Sequence, residues 1–124
     1  MQIKELTIDI FEWDIAFIFL DSKDKNINKI GKKYNLLKED IIEVNENLKD
    51  KILGAGLTLT NFTRKRTIVI VYPSVNNKDR LNTTSHEVRH TVDRITEFSD
   101  VSDNETSAYM TGYIMGELLT EIIQ

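Results

Sequence analysis

The chain contains no cysteine. Disulfides, thiolate metal sites and cysteine nucleophiles are therefore excluded, and any metal has to be held by histidine and carboxylate. Long apolar runs are missing too. The longest, Ile15 to Leu20, falls far short of the about 20 residues of a membrane-spanning helix. It is also short for a secretory segment, and Glu5, Asp9, Glu12 and Asp14 precede it, so a cytoplasmic protein with no membrane partner is expected. Positive charge is not in excess: 16 Lys and Arg stand against 20 Asp and Glu, for a net charge of −4. No field gathers nucleic acid, and no nucleic-acid partner is expected. The acidic residues are interspersed rather than arranged in a long face, which also disfavours an acidic mimic of nucleic acid. There is no internal repeat, low-complexity tract or linker.

What is present is the composition of one globular domain over residues 1–124, 40% apolar, with five Phe, four Tyr and one Trp. That is enough to fill one core but not two. Leu6 to Leu20 is rich in Ile and Phe without helical spacing, so it reads as one long strand or two short ones, with Phe17 to Phe19 buried on both sides. Asp21 to Asp50 places Ile27, Ile30, Tyr34, Leu37, Ile41 and Val44 at three- and four-residue spacing, predicting one or two amphipathic helices, broken near Asn35, over one sheet face. The β-rich runs Leu53 to Phe62 and Thr67 to Pro73 flank a short polar connection and predict a hairpin. Arg80 to Phe98 predicts an amphipathic helix with Leu81, Val88, Val92 and Ile95 on its core face, and Asp103 to Ile123 a last one. The fold class is α+β: a small, mostly antiparallel sheet with packed helices.

The only two histidines stand four apart, as His86-Glu87-Val88-Arg89-His90. Chance placement gives this H-E-x-x-H pattern on the order of once in a thousand chains of this kind. Residues i and i+4 share a helix face, so two imidazoles can converge on one ion. Glu87, one step round the helix, is placed to act on a water beside that ion. The histidine face lies opposite the apolar stripe, toward a cleft or the next helix. The alternative is a solvated polar face, with Thr84-x-x-Glu87 serving as a capping box.

A hydrolytic zinc site has three protein ligands as a rule, and the candidates for the third are Asp93, Glu97 and Glu105. Asp93 suits an orienting role or a pair with Arg89 or Arg94. Glu105 shares a stripe with Ala108, Gly112 and Gly116 that permits close helix approach, unless Ser102-x-x-Glu105 is a second capping box. At 1.5 Å per residue, a helix reaching Phe98 leaves Glu105 roughly one turn out of reach unless the connection climbs back.

The pattern His86-Glu87-x-x-His90, followed by Asn104-Glu105-Thr106-Ser107-Ala108-Tyr109, resembles the gluzincin metallopeptidases. The resemblance is particularly to the very small minigluzincins, and it extends to short H-E-x-x-H proteins of phages and mobile elements. The resemblance implies zinc held by His86, His90 and Glu105, Glu87 as general base and acid, and a peptide or protein substrate paired to an edge strand of the hairpin. Tyr109 and Tyr113 are the nearest candidates for oxyanion donors. The competing expectation is a catalytically silent relative acting as an interaction or inhibitor module. The sequence carries no signal of oligomeric state.

Overall fold

Ile15, Phe17 and Phe19 turn to one side of a strand and Ala16, Ile18 and Leu20 to the other, and all six are buried. A strand buried on both faces needs a layer of helices above and below it, and this requirement organises the molecule. The computed structural model describes residues 1–123. Its strands are β1 (Gln2–Ile8), β2 (Trp13–Phe19), β3 (Gly56–Asn61) and β4 (Arg66–Val71), and a 3-10 turn over Asp9–Phe11 joins the first two. Its helices are α1 (Asn28–Lys33), α2 (Lys38–Lys49), α3 (Asn77–Phe98), α4 (Asn104–Glu117) and α5 (Leu119–Ile122).

The four strands form one sheet in the order β1-β2-β4-β3. Two of its pairings, β1 with β2 and β3 with β4, are antiparallel, while β2 and β4 run parallel. The expected small α+β fold is present, with a mixed sheet. The parallel pairing follows from the connection: parallel neighbours need a crossover, and here α1 and α2 cross one face to the edge strand β3, which turns back into β4. Ala16, Ile18, Ile68 and Ile70 meet Ile27, Ile30 and Val44 there. On the other face Phe17, Phe19, Val69 and Val71 meet Val88, Val92 and Ile95 of α3 and Met110, Ile114 and Leu118 beyond it.

Several boundaries differ from the sequence reading: the last helix, expected unbroken to Ile123, divides at Leu118 into α4 and α5, and β3 starts at Gly56 rather than Leu53. The first strand starts at Gln2 rather than Leu6, because its exposed polar residues need only backbone pairing at a sheet edge. α3 starts at Asn77, capped by the Asn76 side chain, which accepts from the Asp79 amide at 2.9 Å. Thr84 and Glu87 are therefore mid-helix, and no capping box forms there. α4 is capped by Asp103, not Ser102: its carboxylate accepts from the Glu105 amide at 2.9 Å and the Thr106 hydroxyl at 3.0 Å.

None of the described helices is long and apolar enough to cross a membrane. Phe17, fully buried in the face beneath α3, tests the layered core. Phe17→Ala is expected to cost about 3–5 kcal/mol, seen as a lower urea midpoint, and an unchanged midpoint would remove it from the core.

Candidate metal centre

The i, i+4 spacing brings the two imidazoles together on the solvent side of α3. Their ring centroids lie 4.6 Å apart with planes at 89°, and the two Nε2 atoms approach to 3.0 Å. Two nitrogens bound tetrahedrally at about 2.0–2.1 Å from zinc would be about 3.4 Å apart. The pair needs to open by only a few tenths of an ångström to share an ion. Without one, the same contact can be bridged by one ring N–H donating to the other ring.

Glu87 faces a different way, into the seam between α3 and β3, and is only 5% exposed. A buried carboxylate needs donors. The Thr58 hydroxyl donates to its Oε1 at 2.8 Å, and its Oε2 lies 3.9 Å from His86 Nε2. One oxygen is thus held by the sheet and the other is turned toward the histidines. Donor atoms of His86, Glu87 and His90 all lie within 4.8 Å of one another, so this group could hold a metal ion. A cavity of about 420 Å³ opens beside it, lined by residues 54–56, Asn82, Thr83, His86 and Glu87.

Two residues missed by the sequence reading complete the site. A Cβ added at Gly56 would come within 2.6 Å of Glu87 Cγ and 3.1 Å of the Ile70 carbonyl, so glycine is what lets the helix side chain reach the strand. A lone glycine inside a β run is a usable signal of such close approach. Nothing in the sequence marks Thr58, whose role depends on strand register.

β3 is a sheet edge. The Tyr72 amide donates to the Ala55 carbonyl at 2.9 Å, and in this register Ala55, Leu57 and Leu59 bond to β4. Alternation along an antiparallel pair then turns the backbone groups of Gly56, Thr58 and Thr60 to the open side. One of these is occupied: Arg94, one turn past His90, donates through Nη1 to the Thr58 carbonyl at 2.7 Å and to the Thr60 hydroxyl at 3.3 Å.

Glu105 is not brought to the histidines. α3 stays helical to Phe98, and the chain re-enters α4 at Asn104, which lies back beside Arg89 and Asp93. α4 also packs on the other flank of α3, where Ser85, Arg89 and Val92 line a groove with Asn104, Ser107 and Ala108. Gly112 and Gly116 play no part in that contact, since a Cβ at either would meet nothing within 4 Å. Glu105 is exposed and lines a separate cavity with Tyr109 and Tyr113. The two tyrosines are thus placed away from the histidines. Asp93 pairs loosely with Arg89, Nε to Oδ2 at 3.8 Å, and Glu97 is exposed.

Thr58→Val is expected to cost about 1–3 kcal/mol, because it strips the donor from a buried carboxylate. Thr58→Ser should cost much less. Equal denaturation midpoints for the two variants would show that the hydroxyl does not support Glu87. No family model, curated protein or solved structure matches this chain, so the site is read from its own geometry.

Proposed function

We propose that His86 and His90 bind a divalent metal, zinc by donor type, and that the protein hydrolyses peptide bonds with Glu87 as general base. The observation that carries this reading is the convergence of both Nε2 atoms beside a carboxylate buried and aimed by Thr58. A metal there supplies Lewis-acid polarisation of a carbonyl and makes water acidic near neutral pH. Glu87 Oε2 accepts the proton of the attacking water and returns it to the leaving amine. Thr58 keeps Oε1 engaged, so that Oε2 is the basic atom presented to the cavity. The outward backbone groups of Gly56 and Thr60 pair with an extended substrate, while Arg94 retains the Thr58 carbonyl. The likeness of the motif to gluzincins supports the same assignment.

A second reading is favoured by one observation. With Glu87 kept as base, the described chain offers two ligands at this face rather than the usual three, because Glu105 stands elsewhere. A catalytically silent relative, acting as an interaction or inhibitor module, would look like this.

Calorimetry with zinc and a fluorogenic peptide library separate the readings. One zinc per chain is expected for the native protein, with affinity at least about tenfold weaker in His86→Ala and His90→Ala. Glu87→Gln should retain zinc and lose about 10²-fold or more in cleavage. Absence of zinc binding would refute the metal site. Binding without cleavage selects the silent module, and undiminished cleavage by Glu87→Gln rules that residue out as the base.

A further inference from the structure

Glu105, Tyr109 and Tyr113, left out of the metal centre, belong to a cavity of about 590 Å³ between the 3-10 turn and α4. That volume lies in the range of ligand pockets, about 300–1,000 Å³. Phe11 and Met110 contribute its apolar surface, with the two tyrosines beside them. Its lining carries three carboxylates, Asp9, Asp103 and Glu105, and not one Lys, Arg or His. Asp103 is committed to capping α4. The carboxylates of Asp9 and Glu105, each in the first turn of its own helix, make no hydrogen bond or ion pair with the described chain.

Large apolar side chains crowd the same place. Ile10 is 84% exposed and Tyr109 85% exposed, with Tyr113 about half exposed. Isolated exposed apolar residues are ordinary, whereas a group of them around an apolar cavity marks an interaction surface. Tyrosine also offers an aromatic face to a cation.

We infer that this cavity docks a basic segment of another protein. A Lys or Arg side chain inserts with its stem against Tyr109 and Tyr113 and its charged head toward Asp9 and Glu105. A polypeptide is the occupant because Ile10 also lines the cavity and remains almost fully exposed there, giving apolar surface that a small amine would leave uncovered. The uniformly negative rim selects positive charge, and interface cores favour aromatic anchors of this kind. The docking site needs no metal and is independent of the hydrolytic reading.

Amide chemical shifts of the full chain, titrated with acetyl-Leu-Arg-Leu-Arg-Leu-amide, test it. Saturable shifts are expected at Ile10, Tyr109 and Tyr113. Replacing both arginines by citrulline, a neutral isostere, should weaken binding about tenfold. Tyr109→Ala should weaken it about tenfold and Glu105→Gln about fivefold. Both positions are exposed, and unchanged thermal melts would confirm that the variants fold. The inference fails if these amides do not move, if the citrulline peptide binds equally well, or if butylguanidinium alone matches the peptide's affinity.

Discussion

The Glu87 carboxylate is withdrawn from water into the seam between α3 and β3, and an unpaired charge there would cost several kcal/mol. Thr58 offsets that cost with a 2.8 Å hydrogen bond, and the bare backbone of Gly56 leaves the room to make it. These two β3 residues, on the same face of the strand, fix how α3 lies against the sheet edge. The position of the histidines follows, because His86 is adjacent to Glu87 and His90 is one turn further on. Arg94 tightens the same seam from the next turn, so that Thr58 is bound through its hydroxyl and its carbonyl at once.

The length of α3 has two consequences. Its 22 uninterrupted residues carry the histidines on a rigid rod, away from the core that Val88, Val92 and Ile95 build with the sheet. The same continuity sends the chain past the site before it can turn, and α4 returns along the opposite flank. Met110, Ile114 and Leu118 then seal the core, while Glu105 and the tyrosines face the 3-10 turn. One geometric choice therefore separates a metal-binding face from an acidic, aromatic one.

Local and periodic features were legible in the sequence. The two-sided burial of Phe17 to Phe19, the helix through the histidines, the hairpin and the convergence of residues 86 and 90 all follow from spacing, and all are present. Features set by tertiary arrangement were not legible. Whether Glu105 meets His90 depends on where a helix ends and on which flank the next one packs, neither of which a helical wheel contains. The Thr58 contact depends on strand register, and the parallel β2–β4 pairing on the path of α1 and α2. Small residues at Gly112 and Gly116 permit a close approach but do not compel it, and in this fold it does not occur.

Zinc-edge anomalous diffraction from crystals soaked in zinc would test the central claim most directly. A single peak is expected between His86 and His90, with both Nε2 atoms at about 2.0–2.1 Å and Glu87 still bonded to Thr58. A map without that peak, with the imidazoles bonded to each other in the presence of zinc, would contradict it.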